Sequence, residues 1–355
     1  MSRFLTEKLK KLAPYVPGEQ PKEREYIKLN TNESPFPPSE TAIKTASEQA
    51  EKLYLYPDPD CKELTLLMAK EYGLGYENVI ATNGSDEVLN FAFMAFCDEN
   101  TPAIFPDITY GFYKVFADLN GVPSKEIPLK EDFSIDIEDY LGEQGTIFIA
   151  NPNAPTGLYI PLESIERLLS SNPNRIVVVD EAYVDFGSES AVNLIDKYDN
   201  LLVTQTFSKS RSMAGARLGF GFANKEIIND LIRIKYSTNP YNVNRMTAGA
   251  GIGALKDKDY FLSNVQKIIK NREYVINELS DLGFICTDSK ANFVFAKSEL
   301  FKGDALYKAL KEKGILIRHF DKERIKDYNR ITIGDEKQME LFIQTIKEIL
   351  QGEKI

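Results

Sequence analysis

The strongest constraint on the fold is a series of short apolar runs that do not alternate with polar residues. They are Val79-Ile80-Ala81-Thr82, Ala103-Ile104-Phe105, Thr146-Ile147-Phe148-Ile149-Ala150, Ile176-Val177-Val178-Val179, Leu201-Leu202-Val203 and Phe220-Gly221-Phe222. A strand with one wet face alternates, whereas runs of this kind suit parallel strands covered on both faces. Helical segments fall between most of them. One opens at Asn83-Gly84-Ser85-Asp86-Glu87 and continues to Phe96, apolar nearly all round and therefore expected to be buried. The pattern predicts an α/β fold, a mostly parallel doubly wound sheet.

The rest of the chain divides around that block. Residues 1–38 are rich in proline and read as an irregular arm laid over something else. Helices are expected from about Ser39 to Leu53 and again up to Tyr72, with the loop Tyr54–Asp60 between them. A long helix over 259–282 carries Leu262, Val265, Ile269, Ile276 and Leu279 near helical spacing. It should join a large domain, 39–258, to a small α+β domain, 259–355. The small domain then reads strand (293–295), helix (305–313), strand (314–318), strand (330–333) and helix (336–350).

Composition narrows the partners. Among 355 residues, 43 Lys and Arg face 53 Asp and Glu, a net charge of −10. So acidic a chain does not hold nucleic acid or an anionic membrane by charge alone; anionic ligands need a few aimed residues. Cys61, Cys97 and Cys286 are an odd number without a CxxC pair, and His319 is the single histidine. A reduced cytoplasmic compartment is expected, and no zinc site. The first residues have no apolar leader-like stretch, and no run nears the roughly 18 apolar residues of a membrane span.

Ligands of an open parallel sheet gather at the carboxyl ends of its strands, and four polar clusters sit there. Gly84-Ser85-Asp86 follows the first run; free N–H groups at a helix start suit a phosphate, although a plain helix cap accounts for the same residues. Asp180-Glu181-Ala182-Tyr183 follows Val177–Val179; a carboxylate there can hold a protonated ring nitrogen. A magnesium-binding acid is the competing use, but no GxxxxGK[ST] sequence accompanies it. Thr206-Phe207-Ser208-Lys209 leaves the strand Leu201–Val203, and a partly desolvated lysine has the lowered pKa that a Schiff-base amine requires; Arg217 can share a phosphate with the two hydroxyls. Arg330 opens Arg330-Ile331-Thr332-Ile333-Gly334 and offers a two-pronged donor to a carboxylate. Taken singly, the last two are better explained by exposed basic residues.

In combination the motifs NGSDE, TYG, PNAPTG, DEAY, TFSK, GARLG and RITIG, in that order over residues 83–334, resemble the fold-type I, pyridoxal-phosphate-dependent aminotransferases. With LAPYVPG and LNTNESP in the arm, and Ile317-Arg318 paired with Arg330-Ile331-Thr332, the chain is similar to the histidinol-phosphate aminotransferase family. The resemblance implies an aspartate-aminotransferase-like fold and these roles. Lys209 bonds the cofactor and, once displaced, moves a proton between substrate Cα and cofactor C4′. Asp180 pairs with the ring nitrogen, Tyr183 donates to the ring hydroxyl and Tyr110 stacks on the ring. Gly84, Ser85 and Asp86 (through backbone N–H groups), Thr206, Ser208 and Arg217 hold the phosphate. Tyr56 reaches the cofactor of the second subunit of a homodimer. Arg330 and Arg318 hold the substrate phosphate or the carboxylates of glutamate, and Tyr15 and Asn32 close the site. Where many members carry asparagine before Pro-Thr-Gly this chain has Ala154, so Asn153 is the nearest candidate for that ring-hydroxyl contact. An aromatic or broad-specificity aminotransferase, or a decarboxylase of phosphorylated amino acids, would share the cofactor residues. A non-catalytic regulator on this fold would need an added DNA-binding module, for which the chain has neither spare length nor a basic patch.

Overall fold

The computed structural model describes residues 2–10 and 12–352. Met1 and 353–355, the outer ends of the expected arm and C-terminal segment, and Lys11 lie outside the described residues. Each apolar run forms a strand of one seven-stranded sheet. From one edge to the other the strands are Val79–Thr82, Gly219–Ala223, Leu201–Thr206, Val177–Asp180, Thr146–Ala150, Ala103–Pro106 and Ser124–Ile127. All run the same way except Gly219–Ala223, which is antiparallel to both its neighbours. The edge strand Ser124–Ile127 was not foreseen. Its Lys125 and Glu126 face solvent, so it lacks the buried apolar signature of the others.

The reversed strand matters for the site. It begins at the edge where its neighbours end, in register with Thr82 on one side and Thr206 on the other at Gly219. Arg217 therefore arrives directly in front of the carboxyl ends of the parallel strands. Cores fill both faces of the sheet, one around Ile147, Ile149, Leu168 and Val203, the other around Phe93, Phe116, Phe148 and Leu231. Phe93 stacks on Phe148 at 4.2 Å. The helix Ser85–Phe96 buries Val88, Leu89, Phe91, Ala92 and Phe93 but exposes Met94, so its burial is less complete than its composition suggests.

The helix Lys258–Asp281 buries Val265, Ile268, Val275 and Leu279 against a second core. That core lies under a four-stranded antiparallel sheet ordered Arg318–His319, Tyr328–Thr332, Phe293–Ser298 and Phe284–Cys286. The expected strand 314–318 is broken at Ile317. Ile315–Leu316 pairs in parallel with Ile27–Lys28 of the arm, and Arg318–His319 switches to Tyr328–Thr332. The break stitches the arm to the small sheet and sets Arg318 opposite Arg330. Among the described residues no helix is long and apolar enough to cross a membrane.

Candidate active site

The chain leaves Val79–Thr82 through Gly84 and enters the helix Ser85–Phe96. Gly84 has φ +78°, and a Cβ there would stand 2.7 Å from Nη2 of Arg217. A Cβ on Gly219 would overlap the Gly84 carbonyl carbon and the Ser85 nitrogen. Two glycines thus let the turn, the reversed strand and the guanidinium close on one point. The first N–H groups of the helix have no partner within it and open onto that point. Arg217 donates from Nη2 to Asp86 Oδ2 at 3.0 Å and from Nη1 to Ser208 Oγ at 3.3 Å, and the Thr206 and Ser208 hydroxyls lie 2.9 Å apart. The Asp86 side chain does more than its backbone was expected to do: its second oxygen accepts from Tyr110 at 2.7 Å, so one carboxylate fixes both the arginine and the aromatic ring. Gly219→Ala should weaken binding of the pyridoxal phosphate that the resemblance implies by about 10²-fold or more, as expected when backbone must shift at a charge-assisted anion site. Spectroscopic titration of the apoprotein checks this.

Asp180 ends Val177–Asp180 and is buried. Tyr113 donates to its Oδ2 at 3.0 Å, and the Ala182 N–H to its Oδ1 at 3.3 Å. Burial pushes its pKa up to about 7, the Tyr113 hydrogen bond working against that rise and the charge of Asp86 adding to it. Lys209 Nζ donates to the Thr31 carbonyl at 3.2 Å. Its pKa falls to about 8, first by burial and then by Arg330, against the pull of Asp86 and Glu33. Burial thus disfavours the charged form of both groups, raising the acid and lowering the amine.

Linkage gives the sign of a stability test. A carboxyl raised in the folded apoprotein binds more protons folded than unfolded between about pH 4 and 7, so its contribution falls as pH rises through that window. Asp180→Asn apoprotein should therefore melt a few degrees above the parent at pH 8, roughly 2–4 °C per kcal/mol gained. The difference should vanish near pH 5. Calorimetry at the two pH values checks it.

Ser85, Asp86, Tyr110, Asp180, Tyr183, Thr206, Ser208, Lys209 and Arg217 line one cavity of about 120 Å³. A second, of about 480 Å³, shares Tyr110, Tyr183 and Lys209 and adds Tyr15, Asn32, Arg318 and Arg330. Arg330 donates from Nη2 to the Asn30 carbonyl at 3.0 Å, while its buried Nε has no partner. Tyr15 stacks on Phe112 at 4.3 Å and so carries the arm over this cavity. Asn32, with φ +57°, donates to the Tyr183 hydroxyl at 2.9 Å and accepts from Thr332 at 3.1 Å. One amide N–H and the carbonyl are thus engaged, so it orients Tyr183 while still lining the larger cavity.

Asn153 is turned away from the cavities, and Tyr56, expected to serve a second subunit, lies outside both of this chain's. Asn153 turns under the loop: it donates to the Ile108 carbonyl and Thr156 and accepts from Thr109, while Ala154 occupies the cavity wall. The asparagine contact is therefore not transferred by one position; the amide satisfies the loop itself. Tyr56 is 77% exposed and stacks on Tyr241, outside both cavities. Tyr113, Gly219 and Thr31 were missed. Tyr113 stands three residues after Tyr110, a spacing that puts both on one side of a helix start, and Gly219 closes the GARLG motif. Thr31 acts through its backbone, which leaves no side-chain signal.

The donor set fits pyridoxal phosphate: an anion cradle of helix N–H groups, hydroxyls and Arg217, a buried carboxylate in the same cavity that can pair with a ring nitrogen, and an amine opening onto both cavities. The chain belongs to the class I and II aminotransferases, pyridoxal-phosphate enzymes, whose family model matches residues 24–346. More closely, it is 48% identical to the histidinol-phosphate aminotransferase of Brachyspira hyodysenteriae over 99% of this chain and 100% of that one. It is 47% identical to the enzyme of that name from Clostridium acetobutylicum, again over 99% and 100%. The crystal structure of histidinol-phosphate aminotransferase from Sinorhizobium meliloti in complex with pyridoxal-5′-phosphate shares its fold, with a TM-score of 0.90, 22% identity and 99% of both chains covered.

Proposed function

We propose that the chain transfers an amino group between L-glutamate and imidazole acetol phosphate, giving 2-oxoglutarate and L-histidinol phosphate in histidine biosynthesis. The observation that carries the reading is the half-buried lysine of lowered pKa sharing a cavity with Arg318 and with Arg330, whose Nε is unpartnered. Full-length similarity to relatives of that name supports it. Bound pyridoxal phosphate supplies an electron sink for the substrate carbanion and carries the amino group between the two substrates.

The chain's own residues do the remainder. Ser85, Asp86, Thr206, Ser208 and Arg217 would hold the phosphate, Tyr110 would cover the ring and Asp180 would keep its nitrogen protonated. Tyr183, oriented by Asn32, faces the ring hydroxyl. Lys209 Nζ takes the proton from substrate Cα and returns it at C4′, a short shift for one flexible amine, and its lowered pKa keeps a usable fraction neutral near neutral pH. Arg330 and Arg318 hold the carboxylate of one substrate and the phosphate of the other. Tyr15 on the arm excludes water.

A spectroscopic survey of half-reactions tests the reading. Imidazole acetol phosphate should discharge the amino form of the enzyme far faster than phenylpyruvate; the reverse order would overturn the histidine assignment. A cytoplasmic homodimer is part of the proposal, with the division at about residues 38 and 258. The exposed cluster of Leu53, Tyr54, Leu55, Tyr56 and Tyr241 offers the apolar contact that a second copy would cover, which supports the reading that Tyr56 serves the partner's cofactor. Light scattering at micromolar concentration should return twice the monomer mass.

A further inference from the structure

We infer that Tyr113 is a positioning residue for the transamination, its hydroxyl holding the Asp180 carboxylate ionised and aimed at the ring nitrogen of the cofactor. The inference rests on the reading of Asp180 as the ring-nitrogen partner. Tyr113 is the second residue of the helix Phe112–Asn120 and is wholly buried. Its ring is wedged among Phe105, Tyr110 and Phe148, all with centroids 5.8 Å away, so its hydroxyl has one direction to point. It points at Asp180 Oδ2, 3.0 Å away. The only other protein donor to this carboxylate among the described residues is the longer contact from Ala182.

The bond is needed because a buried carboxylate tends to take up a proton. The charged and titratable groups around Asp180 divide: Asp86 disfavours its ionised form, while Tyr113 and the charge of Lys209 favour it. The Tyr110 and Tyr183 hydroxyls also line the pocket but are engaged with Asp86 and Asn32. Tyr113 does not itself ionise, since burial and then Asp180 hold its pKa well above the usual value. It is a donor at every working pH. A neutral Asp180 could not hold a proton on the ring nitrogen, and an ionised but unheld one could turn away from it.

The test compares full-length apoproteins, the parent, Tyr113→Phe and Asp180→Asn, in calorimetric binding of two ligands that form no bond to Lys209. These are pyridoxamine 5′-phosphate and its analogue with carbon in place of the ring nitrogen. Tyr113→Phe should weaken pyridoxamine phosphate about tenfold at pH 7, the effect of one hydrogen bond to a charged group. The loss should shrink toward pH 9 and leave the carbon analogue unaffected. Equal losses for both ligands, a loss independent of pH, or no loss overturn the inference and leave Tyr113 as packing. If Asp180→Asn also weakens both ligands equally, or neither, the reading of Asp180 itself falls; if Asp180→Asn weakens pyridoxamine phosphate selectively and Tyr113→Phe does not, that reading stands. Should Tyr113→Phe not fold, 3-fluorotyrosine at position 113 keeps the shape and strengthens the donor. It should tighten pyridoxamine phosphate about twofold at pH 7, and no gain overturns the inference.

Discussion

Lys209→Ala should lower the turnover number by about 10⁴-fold or more, since proton transfer by a positioned group alone contributes up to about that much and covalent attachment is lost with it. Nothing nearby can substitute. The Tyr183 hydroxyl is held by Asn32 and its pKa is raised, first by burial. Thr31 presents only a carbonyl to the lysine. The Asp86 carboxylate is occupied by Arg217 and Tyr110. The same substitution should not destabilise the apoprotein. Lys209 has a depressed pKa, so below about pH 8 folding either buries its charge or forces its neutralisation, and removing it relieves that cost. The expected pair of results is near-total loss of turnover with an unchanged or higher melting temperature at pH 7. Single-turnover kinetics and calorimetry check the two; turnover within tenfold of the parent would remove Lys209 from the mechanism.

How far the site could be read from the sequence depends on what each residue does. Lys209, Asp180, Arg217 and the Gly84 turn sit at strand ends, where a change from apolar run to polar residue announces a site. The strand reversal at Gly219–Ala223 carries no such mark: a buried strand looks the same in either direction, and only pairing with Val79–Thr82 and Leu201–Thr206 reveals it. That reversal is what delivers Arg217 to the cradle. Asn153 shows the opposite failure. One residue of sequence is a small offset, but in a tight loop it separates the cavity wall, Ala154, from the amide that satisfies the loop's own Ile108 carbonyl. Tyr113 escaped because a buried aromatic on a helix is normally core, and nothing local distinguishes one whose hydroxyl meets a carboxylate 67 residues away. The small sheet was legible as elements but not as pairings. The break at Ile317, which lets one short segment serve both the arm and the sheet, depends on contacts nearly three hundred residues distant.

Arg330 carries the second large effect. One edge of its guanidinium is fixed by the Asn30 carbonyl, its face lies 5.3 Å from the Phe293 ring centre, and its buried Nε has no protein partner. A buried donor without an acceptor is costly, so the group is ready for an anion that brings two oxygens. Arg330→Lys keeps the charge but loses the planar fork and the ring contact. We expect kcat/KM to fall about 10²- to 10³-fold in both half-reactions, as for loss of paired charge-assisted hydrogen bonds to a substrate anion. Glutamate and the phosphorylated substrate should suffer alike, because each must place an anion there. Arg318→Lys should cost less, since its guanidinium is less enclosed and holds only the Val16 carbonyl at 3.5 Å. Arg330→Ala adds a separate signature. After burial, Arg330 is the largest influence lowering the pKa of Lys209, so its removal should raise that pKa. The pH at which Lys209 in the apoprotein becomes reactive toward an amine-directed reagent should move upward in Arg330→Ala and stay in place in Arg330→Lys. A shift in both variants would mean that the guanidinium acts by shape on the lysine pocket, and no shift in either would separate the substrate anion site from the lysine altogether.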